Sequence, residues 1–219
     1  MSQIAKKRRP KKKVLSSGVV ERLSQYLNCL LQFREAGYKY VSSKELGFCT
    51  GINPAEIRRD LMKIGSTGKK GLGYPVDELI KSLQKALGTG FQEKVALVGA
   101  GNLGTAIAGF TGLKRHGFKI EAIFDVDPQK VGREIYGIFV YHVDDLEKIV
   151  REQKIRIGII ATPKEAAQEV AQKLIRSGVK IIVNYTDSVI KAPPGIKVHN
   201  TNPVVELLHT LYYLAKTGG

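Results

Sequence analysis

The stretch 94–108, KVALVGAGNLGTAIA, holds three glycines at the spacing Gly99-x-Gly101-x-x-Gly104, after an apolar run and before a run of helix formers. At that spacing the backbone itself can bind a ligand. Gly99 permits a tight turn, Gly101 lets a pyrophosphate approach the chain, and Gly104 lets a helix sit close on its strand. Phosphate then rests on the unpaired amides at the helix start, so Ala100, Asn102 and Leu103 join the three glycines as candidate contacts. About twenty residues on, Ile120–Asp125 supplies a second strand ending in an acid. The Asp125 carboxylate is suited to accept hydrogen bonds from ribose hydroxyls and to repel a 2′-phosphate, which favours NAD(H) over NADP(H).

A second group of residues points to a polyanion. Residues 1–73 carry 16 Lys+Arg against 5 Asp+Glu, a net +11, whereas residues 74–219 carry 19 against 15, a net +4. Charge gathered in one third of a chain marks a nucleic-acid-binding module. A membrane-surface helix is the rival reading, but the run 6–13 is broken by Pro10 and lacks interleaved aromatics. This arm, residues 1–15, is expected to be disordered and to place Arg9, Lys11 and Lys12 on phosphates or in a minor groove.

The elements needed to position these groups can be read from caps and periodicity. Ser17 to Ala36 repeats apolar residues at helical spacing and stops at Gly37. Ser42 and Glu45 form a capping box for a short helix that ends near Gly51; Asn53 caps a third helix, with Pro54 first and Glu56 as its own box partner. A short helix, a glycine turn and a second short helix make a helix-turn-helix, whose second helix enters the major groove. In that helix Ile57, Leu61 and Ile64 form the buried face and leave Arg58, Arg59 and Lys63 for bases or phosphates. Ser43 and Asn53, at the helix starts, are further candidates for DNA contact. Residues 65–74, GSTGKKGLGY, set Lys69 and Lys70 among glycines and suit a hairpin wing close to phosphate. Cys29 and Cys49 lie in apolar helical patterns, and free buried thiols are expected rather than a disulfide or a metal site.

Pro75 opens a helix from Val76 to Leu87, read as a bridge between domains. After the glycine motif come a strand at Gly137–His142, a helix near Asp144–Glu152, a strand at Ile155–Ala161, a helix at Pro163–Ser177 and a strand at Val179–Asn184, with Asp127-Pro128 as a helix cap. This βαβ succession predicts a doubly wound parallel sheet. Ligands of such sheets bind at the carboxyl ends of the strands, which brings in Ala161, Thr162, Pro163 and Asn184. Thr162 serves equally well as a helix cap.

The fold class is therefore α/β: a winged helix-turn-helix domain at 16–88, a Rossmann domain at 89–200, and a terminal helix at 201–219. That last helix is apolar on most faces and needs a cover, for which a partner subunit would serve. His142 and His199 stand alone and no metal-ligand cluster is evident, so a binding function is favoured over an NAD-dependent oxidoreductase with a basic appendage. No apolar stretch is long enough to span a bilayer and no signal-peptide core follows the basic run, so a cytoplasmic protein is expected.

Taken together, Ile57-Arg-Arg-Asp-Leu61, Gly68–Tyr74, Val98–Gly104 and Phe124–Gly132 resemble the Rex family of bacterial redox-sensing repressors, over roughly residues 15–215. The resemblance implies a homodimer with swapped C-terminal helices. It implies that double-stranded operator DNA is held in the NAD⁺-bound or apo form and released when NADH binds. It also brings Val126, Lys130 and Phe110 into the cofactor set. Phe110 stands where the family pattern usually has a tyrosine near the nicotinamide. Asn202 stands where an acid often opens the last helix, and Asn28 offers it no cationic partner. A regulator sensing some other nucleotide is the remaining alternative.

Overall fold

The structure, a computed structural model, describes residues 15–89, 92–201, 204, 205 and 207. The basic arm, with Arg9, Lys11 and Lys12, lies outside the described residues. So does most of the segment predicted to form a terminal helix, Asn202 included. The chain divides into two compact units, Met1–Gly90 and Phe91–Gly219.

In the first unit a long helix α1 (Ser17–Glu35) carries the core face Leu23, Tyr26, Leu27, Leu30 and Leu31. Two short helices follow, α2 (Ser43–Thr50) and α3 (Pro54–Lys63). The start of α2 is fixed by the anticipated capping box: Ser42 Oγ accepts from the Glu45 amide at 3.2 Å, and the Ser42 amide donates to Glu45 Oε2 at 2.7 Å. These bonds hold the Glu45 carboxyl below its ordinary pKa. Gly51 closes α2 in the left-handed conformation, at φ +72°. At α3 the Asn53 side chain accepts from the Ala55 amide at 2.8 Å. Glu56 does not complete a second box. It pairs instead with Arg22 on α1, at 3.3 Å, because α1 brings a cation within its reach.

The wing also differs in detail from a simple hairpin. Its strand β2 (Tyr74–Pro75) pairs antiparallel with β1 (Tyr40–Val41), and only the Lys69–Gly73 bridge closes the loop itself. At Gly73, with φ +85°, a Cβ would strike the Val41 carbonyl, so the wing's close approach to β1 requires glycine. Helix α4 (Val76–Leu87) buries Val76, Leu79, Ile80 and Leu83 in the same core as α1. It is thus a structural helix of the first unit, because its apolar stripe has α1 to pack on. Cys29 and Cys49 are not free thiols but form a disulfide between α1 and α2, with Cα atoms 6.4 Å apart. Helical periodicity along each segment says nothing of how two helices pack. The packing here brings the two sulfurs together.

The second unit is a seven-stranded sheet in the order β5-β6-β4-β3-β7-β8-β9. The strands are β3 (Glu93–Val98), β4 (Phe118–Asp125), β5 (Glu134–Ile135), β6 (Ile138–His142), β7 (Ile157–Ile160), β8 (Ile181–Asn184) and β9 (Lys197–Asn200). All pairings are parallel except that of the edge strand β5 with β6. Central strand β3 is buried on both faces: Ala96 and Val98 enter one core, Val95 and Leu97 the other. Helices α5 (Asn102–Gly109), α6 (Gly112–Arg115), α7 (Leu146–Glu152) and α8 (Lys164–Arg176) connect the strands. Three features were not anticipated: α6, β5 and the last parallel strand β9. Asp127-Pro128 caps no helix. The Asp127 carboxylate instead accepts from the Gln129 amide, at 2.9 Å, in a turn leading to β5.

Candidate nucleotide crevice and nucleic-acid surface

The chain runs from β3 outward to β4 and β6, then returns to the other side of β3 as β7, β8 and β9. This reversal of strand order opens a crevice at the carboxyl ends of β3 and β7, the position where doubly wound sheets bind ligands. There the backbone of Gly99 (φ +102°) passes so close to Ala161 that any Cβ would overlap the Ala161 carbonyl. Gly104 packs equally closely on the Gly99 carbonyl, which brings α5 down onto the strand. Gly101 differs: nothing lies within 4 Å of where its Cβ would be, so its face of the crevice is open to a ligand. Asn102 and Leu103 are exposed in the first turn of α5, where backbone amides lack helical partners.

A cavity of about 370 Å³ collects Gly99, Gly101, Asp125, Val126, Lys130, Ala161, Thr162 and Pro163. Asp125 Oδ2 accepts from the Ala100 amide at 2.6 Å, and Oδ1 accepts from the Asp127 amide at 2.9 Å. The glycine loop therefore aims the carboxylate, which was not foreseen. Lys130 approaches Asp127 at 3.3 Å and Asp125 at 3.9 Å. Asp127 is held below its ordinary pKa, first by the Gln129 amide and then by Lys130. Thr162 does not cap α8, whose N-cap is Pro163; its hydroxyl is buried with no partner among the described residues. An orphaned hydroxyl in a crevice with one open glycine face fits a polar ligand.

Two predicted residues stand apart. Asn184 is fully buried and spends its amide inside the protein, donating to the Ser188 carbonyl (2.7 Å) and Asn200 Oδ1 (2.9 Å) and accepting from Thr186 (2.8 Å). It shapes the loop after β8. Phe110, 65% exposed, lines a separate cavity of about 330 Å³ with Tyr136 and Leu113.

On the first unit, Arg58 and Arg59 are exposed on α3, and Lys69 and Lys70 are exposed on the wing. Arg58 Nη1 donates to Ser43 Oγ at 2.9 Å, which ties the start of α2 to the middle of α3. Lys63 turns to Asp60, at 2.9 Å. Asp60 is the residue that sequence reasoning passed over, although the spacing 57, 60, 61, 64 places it on the buried stripe of α3. It is fully buried and accepts from Arg22 Nε (2.6 Å), Arg22 Nη2 (3.1 Å) and the Tyr26 hydroxyl (3.2 Å) as well as Lys63. Burial alone would raise its pKa, but the hydrogen bonds from Arg22 and Lys63 outweigh that and hold it below the ordinary value. Burial, and after it the Asp60 charge, push the Tyr26 phenol up to about 12.

A winged helix with an exposed basic helix and wing, in one chain with a Rossmann unit bearing a dinucleotide-type crevice, defines the class: a DNA-binding protein with a nucleotide-sensing unit. Residues 15–61 match a family described as a putative DNA-binding protein N-terminus, and residues 91–188 match the CoA binding domain family. The chain is 48% identical to the redox-sensing transcriptional repressor Rex of Rubrobacter xylanophilus, over 92% of this chain and 94% of that one. It is 37% identical to the Rex of Streptomyces coelicolor, over 94% and 80%. Among solved structures, a Rex-family repressor with β-NAD⁺ and operator DNA superposes with a TM-score of 0.81 at 35% identity, over 94% of each chain. The same repressor with β-NADH gives 0.80 at 34% identity, over 94% of this chain and 96% of that one. The chain belongs to the Rex family of redox-sensing transcriptional repressors.

Proposed function

We propose that this chain is a transcriptional repressor that holds operator DNA through its winged unit when apo or NAD⁺-bound, and releases it when the Rossmann unit takes up NADH. The solved relative with NAD⁺ and operator DNA, and the same relative with NADH, support the reading at the level of family. In this chain the observation that carries it is the Asp125 carboxylate, held by the Ala100 amide at the mouth of the crevice. A carboxylate there receives ribose hydroxyls and repels a phosphorylated ribose, so NAD(H) is accepted while NADP(H) and the 3′-phosphate of coenzyme A are disfavoured.

The roles follow from the geometry. Amides of Gly101, Asn102 and Leu103 hold pyrophosphate, and Val126 borders the adenosine beside Asp125. The Thr162 hydroxyl takes a polar group of the dinucleotide, whose two redox forms differ in the charge of the nicotinamide ring. Arg58 and Arg59 read or clamp the major groove, while Lys69 and Lys70 follow phosphate at the wing. The protein acts as a cytoplasmic homodimer, with the terminal helix covered by its partner, and catalyses no reaction. Selection of duplexes from a random pool, followed by gel-shift titration, tests this: a palindromic duplex is bound and is released by NADH but not by NADPH. Retention of the complex at saturating NADH refutes the sensor.

A further inference from the structure

The DNA-binding unit carries a redox couple of its own. Cys29 lies 2% exposed in the core of α1, and Cys49 lies exposed in the last turn of α2, two residues before the glycine turn into α3. We propose that the Cys29–Cys49 pair is a thiol–disulfide switch, giving this chain a second redox input that acts on operator affinity without the dinucleotide. The proposal rests on the operator-binding reading above.

The bond matters because α2, though packed on α1 and α3, buries few side chains. This helix contributes one wholly buried side chain, Leu46, while Phe48 beside the cysteine is 96% exposed. Helix α3, by contrast, is fastened to α1 independently, through Arg22 and Asp60. The capping box fixes the first turn of α2 and the disulfide fixes its last turn. Opening the disulfide therefore loosens α2 ahead of the rest of the unit, since elements with few buried contacts open first. With α2 goes Ser43, the hydroxyl that holds the Arg58 guanidinium in place over α3. The reduced form presents a less ordered reading surface and pays the ordering on binding.

The exchange needs only a small thiol and its disulfide. A thiolate attacks Sγ of the exposed Cys49; the S–S bond breaks, and Cys29 leaves as a thiolate and takes up a proton. A second thiolate attacks the mixed disulfide, forming a low-molecular-weight disulfide and releasing Cys49, which is protonated in turn. One protein disulfide becomes two thiols while two small thiols give up two electrons and two protons. An oxidised small disulfide drives the reverse.

The test equilibrates the full-length chain, without dinucleotide, in glutathione buffers from fully reduced to fully oxidised. Thiol state is read by alkylation and mass spectrometry, and operator affinity by fluorescence anisotropy. As the bond opens, affinity falls about 10-fold, a size usual for coupled sites, with the same midpoint as the thiol titration. Cys49→Ser stays at the weaker affinity at every poise and binds NADH as the wild type does. A bond that opens with no change in affinity overturns the proposal, as does one that no glutathione ratio opens, or a Cys49→Ser chain that still follows the poise. If instead no duplex is bound specifically at any poise, the repressor reading has failed along with it. A failed switch alone leaves NADH-sensitive operator binding intact in both proteins.

Discussion

Replacing Asp60 with asparagine keeps the shape of the side chain and removes the charge on which α1 and α3 converge. Four hydrogen bonds end on this carboxylate, from Arg22 (two), Lys63 and Tyr26. Removing one partner of a buried ion pair costs about 3–5 kcal/mol, because the other is left uncompensated. Here the Arg22 and Lys63 side chains keep 25% and 49% exposure, so both regain water, and asparagine retains one acceptor. The loss is therefore set at about 2–3 kcal/mol. For a unit of this size each kcal/mol shifts the midpoint by about 4–8 °C, so melting followed by far-UV circular dichroism falls by about 10–20 °C. Operator affinity drops with it, while NADH binding in the other unit is unchanged. Arg22→Leu combined with Asp60→Leu recovers part of the loss, since the charges left without a partner, Glu56 and Lys63, are both solvent-accessible. A loss below about 0.5 kcal/mol for Asp60→Asn, the level of a surface change, would falsify the claim that this carboxylate fastens the recognition helix.

Further expectations can be checked together. The depressed Asp60 pKa gives stability that is present above the ordinary carboxylate value of about 3.9 and is lost as pH falls below it. The raised Tyr26 pKa gives stability that is present below pH 10 and is lost as pH climbs to about 12, since only the unfolded phenol ionises there. Tyr26→Phe should flatten that alkaline limb in a urea-denaturation series, and an unchanged limb would assign it to another group. Arg58→Ala weakens specific operator binding by about 1–3 kcal/mol in anisotropy titrations; equal losses on operator and random duplex would make it a phosphate contact instead. Asp125→Ala weakens NADH binding by calorimetry and narrows its advantage over NADPH, and an undiminished preference would remove Asp125 from the ribose site.

Much of this architecture was legible from local signals. The Ser42–Glu45 box, Asn53 and Gly51 mark helix ends through hydrogen bonds and left-handed backbone within a few residues of one another, so α2 and α3 could be placed from the chain alone. The glycine motif and Asp125 likewise declare their crevice, because they sit at the ends of neighbouring strands. What escaped depends on residues far apart in sequence. The Cys29–Cys49 bond and the Asp60 cluster exist only once α1, α2 and α3 are packed. Strand β5 is hidden because its turn puts Tyr136 at φ +51°, a conformation that a non-glycine residue does not advertise. Asn184 stands at a strand end, where a ligand contact is expected, yet its amide is consumed by the Thr186, Ser188 and Asn200 network.

NADH and operator DNA exclude one another on this chain. Linkage makes such exclusion reciprocal: whatever factor NADH takes from operator affinity, the operator takes from NADH affinity. The most direct measurement is a titration of NADH fluorescence against the full-length protein, alone and with saturating selected duplex. Mutual exclusion gives an apparent Kd for NADH that rises with duplex concentration, by the same factor that NADH imposes in the anisotropy titration, and does not rise with a scrambled duplex. An NADH affinity indifferent to the bound operator would contradict it.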